Sequence, residues 1–323
     1  MSTENVDQDK MSCSRAGGQV TTVAVIIPCF RDAATLGWAI DSVLAQSHRV
    51  DEIIVVNDAS PETEAIESVI RRYPEVMYLV NPRNEGLAAT RNNGLRAAKS
   101  DVVSFLDADD QLHPEKIKRQ LALLESDFPV AVTCSVSLFN QPGPCVFEAR
   151  QSLPLSVTVF QKSSSLLFRN RLTGAALMIR RELLLKHGGY DAKLRSCEDF
   201  DLWLRLLDAK VKVIKLQLPL YAYYVNPTGL SKNYRNISAW ELTVLTKYFA
   251  GNKMGKWLES VVLFFWLSKH SVRASLSADV ELAELTVLNA RRLFRLRSMM
   301  YLFCTLADSG VFSWFAKVLL RVR

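Results

Sequence analysis

Three carboxylates, Asp107, Asp109 and Asp110, follow directly on an apolar run in "VVSFLDADD". Like charges this close raise one another's pKa unless something positive sits among them. The stretch is therefore either a solvated acidic turn or a holder for a cation. Hard divalent ions such as Mn²⁺ and Mg²⁺ take oxygen ligands, so a pair of carboxylates suits them. A second acidic strand end is Asp58, after "EIIVVN". Two such ends in one sheet point to a cleft rather than to unrelated turns. Further on, "CEDFDLWLRLLDA" reads as an amphipathic helix with Glu198 and Asp199 at its start, where the helix dipole favours negative charge. His113, His187 and His270 have no ligand spacing with anything and read as surface or packing residues.

Short apolar runs alternate with helix-like segments. "VAVIIPCF" precedes the amphipathic residues 33–46, "EIIVVN" precedes "PETEAIESVIRRY", "VMYLVN" precedes "GLAATRNNGLRAAK", and "VVSFL" precedes "HPEKIKRQLALLE". Pro61 suits a first helical turn with Ser60 as its cap. Strands apolar throughout, separated by helices, predict an α/β fold with a mainly parallel sheet and helices on both faces. Ligands of such sheets bind beyond the carboxyl ends of the strands, where the acidic residues fall.

The 323 residues suffice for a sizeable core, and 49% hydrophobic with 23% charged content indicates a folded protein. Six cysteines with neither a CxxC nor a CxxxC pair argue against a zinc site or a disulfide framework and suit a reducing compartment. Residues 1–20 are polar, lack the apolar core of a signal peptide, and are expected to be a disordered leader on a cytoplasmic protein. The net charge is +7, yet no nucleic-acid module is recognisable. Residues 251–323 carry eleven Lys or Arg against five Asp or Glu, interleaved with Trp and Phe. That mixture suggests a helical extension, residues 235–323, lying on an anionic membrane surface, the cytoplasmic face of an inner membrane. Residues 311–323 place Trp314 and Phe315 on one helical face and Lys317 and Arg321 on another.

"VAVIIPCFRDAATLGWAIDSVLAQS", "EIIVVNDASPETE", "NPRNEGLAATRNNGL", "FLDADD", "GGYD" and "CEDFDLWLRL" follow in an order and spacing that resembles the family 2 glycosyltransferases over residues 22–231. The resemblance implies a GT-A fold in residues 21–234, a nucleotide-sugar donor (a UDP-sugar), a divalent metal, and transfer with inversion. It also implies roles. Asp109 would bind Mn²⁺ or Mg²⁺, and Asp107 would meet the ribose or donor sugar, with Ala108 between them. Asp58 would accept a hydrogen bond from the base, and Pro28, Phe30 and Asp32 would complete the nucleotide wall. Gly86 would let the backbone approach the nucleotide. Asp199 would be the catalytic base, with Glu198 secondary.

Other readings stand beside these. Asp58 would equally serve as a helix cap, Asn92 and Gly94 as helix and packing residues, and Trp203 as a core residue or a wall of the acceptor site. One departure is plain: "YYVNPTGLSKN" places Asn226 where many relatives carry a His that completes the metal shell, and an amide oxygen suits a hard cation too. The expected acceptor is a saccharide or lipid-linked sugar of a bacterial polysaccharide or glycolipid pathway. A nucleotidyltransferase would place a Gly-rich, Arg-containing loop where this chain has "PCFRDAAT". A non-catalytic relative would be expected to lose Asp109 or Asp199, and both are present.

Overall fold

The computed structural model describes residues 3–5, 21–124, 128–147, 156–226, 229, 233–251, 255–277 and 279–293, with isolated positions 302, 306 and 311. In chain order the elements are β1 (Thr3–Asn5), β2 (Val23–Cys29), α1 (Ala33–Leu44), β3 (Glu52–Asn57), α2 (Thr63–Ile70), β4 (Val76–Val80), α3 (Leu87–Ala97), β5 (Val102–Phe105), β6 (Gln111–Leu112) and α4 (Lys116–Leu124). They continue with β7 (Val130–Phe139), β8 (Ser156–Phe160), β9 (Met178–Arg180), α5 (Arg181–Lys186), α6 (Glu198–Asp208), β10 (Lys212–Tyr224), α7 (Tyr234–Gly251), α8 (Lys256–Ser277) and α9 (Val280–Leu293). The chain divides into two compact units, Met1–Ser165 with Arg171–Thr228, and Leu166–Asn170 with Gly229–Arg323.

The first unit holds one sheet in the order β1-β8-β10-β7-β9-β5-β2-β3-β4, with β6 paired to β10. Strands β2, β3, β4, β5, β7 and β10 run in one direction; β6, β8 and β9 run against them. Every residue of β2 is buried, because helices cover both faces. Alternate side chains show how. Val23, Val25 and Ile27 share a core with Leu36 and Ile40 of α1, Ile66 of α2 and Ile117 of α4. On the opposite face Ile26 meets α3 at Gly94, where an added Cβ would come within 2.4 Å of it. Each such buried aliphatic side chain contributes about 1.5–3 kcal/mol.

Two local expectations change. Helix α2 begins at Thr63, not at Pro61, because the Ser60 hydroxyl accepts the N–H groups of Glu62 and Arg31 and ties the turn to the end of β2. Within the expected leader, Thr3–Asn5 pair antiparallel with β8.

The second unit is helical. Glu241 of α7 is buried against α8, where its carboxylate meets Lys269 at 3.1 Å, His270 at 2.8 Å and Arg273 at 2.7 Å. Burial alone would raise its pKa; the His270 hydrogen bond and the charges of Lys269 and Arg273 bring it down to about 2. His270 is thus a packing residue in an ion-paired cluster. Among the described residues, no helix is long and apolar enough to cross a membrane. The expected apolar helix over residues 311–323 falls outside the described residues, apart from Val311.

Candidate active site

The chain leaves β5 through a turn closed by the Asp110 N–H on the Asp107 carbonyl. Asp110 is 1% exposed, and its carboxylate accepts the Tyr221 hydroxyl at 2.6 Å and the Tyr224 N–H at 2.7 Å. The Tyr221 hydroxyl in turn accepts the Asp107 N–H at 3.1 Å. Strand β10 therefore clamps the turn through Asp110 and leaves Asp107 and Asp109 half-buried at its mouth. The Asn226 side chain hydrogen-bonds Asp109. Burial, then the charge of Asp107, pushes Asp109 up to about 6. Burial, then Asp109, pushes Asp32 up to about 7. A group of carboxylates raised in this way is short of positive charge.

One cation of the protein meets part of that need. Arg91 of α3, 3% exposed, places Nη2 at 2.7 Å from Asp107 Oδ1 and Nη1 at 2.7 Å from Glu198 Oε1. Its guanidinium also lies 5.4 Å from the Tyr190 ring centroid. Burial alone would discourage the charge, but Asp107, Tyr190 and Glu198 hold it protonated. The strand-end acids and the start of α6 are thereby joined.

Asp58 is 4% exposed and does not cap α2. Its carboxylate accepts the Asn81 amide and the Glu85 and Gly86 N–H groups, each at 2.8 Å. A carboxylate offers about four acceptor positions, so one remains. Gly86 has φ +89, and a Cβ there would also strike Arg195 Nη1 at 2.3 Å. Asn92 both donates to the Tyr190 carbonyl at 2.7 Å and accepts its N–H at 2.9 Å, a packing role.

At the start of α6, Glu198 is buried on Arg91, whereas Asp199 is half-buried. The residue before them, Cys197, is left-handed at φ 58. Arg31 and Ala59, beside Asp32 and Asp58, are left-handed too, and such strain collects at functional sites. Phe30, Asp32, Asp107 and Asp109 are half-buried, while Pro28 lies buried inside β2 and Ala108 is 2% exposed. Trp203 is 0% exposed, which leaves it no face toward an acceptor. Arg91 and Tyr221, which hold these acids in place, were not legible as such from the sequence. Their partners lie far away in the chain and leave no local pattern.

Among the described residues no three His, Cys, Asp or Glu side chains form a ready metal shell. Divalent ions at nucleotide sites are typically held by one or two carboxylates, with phosphate oxygens and water filling the rest. Asp109, short of positive charge and beside the Asn226 amide, fits that mode of binding.

A mixed sheet with acids at its carboxyl edge and helices on both faces gives an α/β fold that its solved neighbours identify as GT-A type. Residues 24–186, half of the chain, match Glycosyl transferase family 2, and the chain belongs to that family. An uncharacterised glycosyltransferase of Rickettsia typhi is 30% identical over 57% of this chain, a match that spans 58% of the relative's own length. The amylovoran biosynthesis glycosyltransferase AmsE of Erwinia amylovora is 28% identical over 53% of this chain and 64% of its own. Among solved structures, TarS 1-349 of S. aureus in complex with UDP-GlcNAc has a TM-score of 0.60, with 16% identity over 81% of this chain and 77% of that one. GalNAc-T7 with UDP, GalNAc and Mn2+ has a TM-score of 0.56, with 17% identity over 79% of this chain and 51% of that one.

Proposed function

We propose that the chain is an inverting glycosyltransferase that moves a sugar from a nucleoside-diphosphate sugar, a UDP-sugar, to a saccharide or lipid-linked acceptor. One observation carries the reading: Arg91 ties the strand-end carboxylate Asp107 to the α6 start that presents Asp199. A donor-side acid and the helix start that carries the base are thus joined through one buried cation, which itself touches Asp107 and Glu198. The UDP complexes of TarS and GalNAc-T7 support a uridine donor, and AmsE supports a polysaccharide setting.

Asp58, with its remaining acceptor position, takes an N–H of the base, and Gly86 admits the backbone beside it. Phe30 and Asp32 line the same wall. Asp107 keeps one oxygen for the ribose or donor sugar, since Arg91 occupies the other. Asp109, with Asn226, would hold Mn²⁺ or Mg²⁺, which when bound neutralises charge on the departing diphosphate. Asp199 takes the proton of the acceptor hydroxyl as that oxygen bonds to the anomeric carbon. The bond from that carbon to the phosphate oxygen breaks, and the nucleoside diphosphate leaves with the electron pair. Glu198, occupied by Arg91, positions rather than abstracts. The helical unit is proposed to rest on an anionic membrane surface, which its exposed Trp257, Phe265 and Leu288 support.

Asp199→Asn tests the base. Turnover should fall by roughly two to four orders of magnitude, while UDP binding measured by calorimetry stays nearly unchanged. Equal loss of binding and turnover would make Asp199 a structural cap.

A further inference from the structure

We propose that Gly174 is a positioning residue for the base: its missing side chain leaves the place that Asp199 fills. The proposal rests on the reading of Asp199 as base. A Cβ built on Gly174 would lie 2.3 Å from Asp199 Cβ, 3.1 Å from Cγ and 3.1 Å from Oδ2, and these are its three nearest atoms. Gly174 does not have the left-handed φ that makes glycine necessary elsewhere. Its need is steric.

Both sides are held in place. Gly174 opens the 3-10 turn Gly174–Ala176, which is tied down from both ends. The Thr133 hydroxyl donates to the Thr173 carbonyl at 3.1 Å, and the Gln120 amide to the Ala176 carbonyl at 3.0 Å. The Phe105 N–H and the Ser104 hydroxyl both donate to the Leu177 carbonyl, at 3.2 and 3.3 Å. Opposite, α6 is held by Glu198 on Arg91 and by the buried Phe200 and Leu202. The atom a methyl would meet first is Asp199 Cβ, which has no freedom apart from its backbone. An added methyl must therefore shift the carboxylate or the first turn of α6. Displacing a reacting group by about 1 Å can cost about 10²-fold in rate.

The test uses the full chain as wild type, Gly174→Ala, Asp199→Asn, Asp199→Gly and the double variant Gly174→Ala/Asp199→Gly. Turnover is read as UDP release from a panel of UDP-sugars, affinity as UDP binding with Mn²⁺, and stability as Tm. Gly174→Ala should lower turnover at least roughly tenfold and leave UDP affinity unchanged. It should lower Tm in the wild-type background but scarcely at all on top of Asp199→Gly, because the clashing side chain is then gone. Wild-type turnover in Gly174→Ala, or equal Tm losses in both backgrounds, would overturn the proposal while an inactive Asp199→Asn kept the base reading. Full turnover in Asp199→Asn would remove the base reading and this proposal with it. Should Gly174→Ala not fold, a folded double variant supports the seating and an unfolded one overturns it.

Discussion

Arg91 Nη2 sits 2.7 Å from Asp107 Oδ1, with the guanidinium all but sealed from solvent. Its other nitrogen, on Glu198, makes it a strut between β5 and α6. Breaking a buried ion pair by removing one partner costs about 3–5 kcal/mol, because the remaining charge is left uncompensated. Arg91→Met should destabilise the protein by about that much and weaken UDP binding and turnover together. Arg91→Lys keeps the charge but lacks the fork that reaches both acids, so it should recover part of the stability and little of the turnover. Thermal melts and calorimetry distinguish these, and an Arg91→Met protein as stable and active as wild type would refute the strut.

Asp109 and Asp110 are neighbours with opposite roles. Asp110→Ala leaves the Tyr221 hydroxyl and the Tyr224 N–H without their buried acceptor. That should cost about 1–3 kcal/mol and slacken the turn. Asp109→Ala should abolish transfer and the Mn²⁺ dependence of UDP binding with little loss of Tm. The sequence assigns Asp110 no role of its own; the structure makes it the anchor of the turn. Denaturation and binding measured on both variants check the division, which a stable but inactive Asp110→Ala would contradict.

The Glu241 cluster should make the helical unit acid-sensitive. The folded pKa of about 2 lies below the ordinary 4.5, so the stabilisation is whole above about pH 4.5 and is lost as pH falls from there toward 2. The difference corresponds to at most about 3 kcal/mol. Burial also lowers the His270 pKa below the ordinary 6.5, so protonation of the unfolded chain adds to the loss from about that pH downward. Hydrogen-exchange protection in α7 and α8, taken relative to the intrinsic rate at each pH, should fall between pH 6 and 3, and Glu241→Gln should flatten the lower part of that profile. An unchanged profile in the variant would count against the cluster.

The basic, aromatic extension should bring the protein to anionic vesicles. Trp257 is 69% exposed, and each basic residue near such a surface contributes about 1 kcal/mol. Sedimentation with phosphatidylserine vesicles should exceed that with neutral ones and weaken at high salt, because exposed charges are screened over about 8 Å at physiological ionic strength. Deleting residues 311–323 should reduce pelleting and spare donor hydrolysis. Equal pelleting with neutral and anionic vesicles would dismiss the membrane reading.

The sheet was largely legible in the residues themselves. β2, β3, β4 and β5 fall on the apolar runs of the sequence, and the acids after β3 and β5 fall at strand ends, because a strand buried on both faces must be apolar throughout and must stop where charge begins. The strand order was not legible. β9 slips antiparallel between β5 and β7, and β10 pairs with three strands, through contacts far apart in sequence that leave no local period. The same holds at the site. Asp107 and Asp109 stand out in the sequence by type and spacing, and Asp199 through the family resemblance. Which acid faces inward could be decided only in three dimensions. Asp110 turns to Tyr221, 111 residues away, and Glu198 to Arg91, 107 residues away. Gly174 meets Asp199 only because a clamped turn and a helix end converge there. Burial makes an unpaired charge or an extra methyl costly, and burial is a property of the assembled fold.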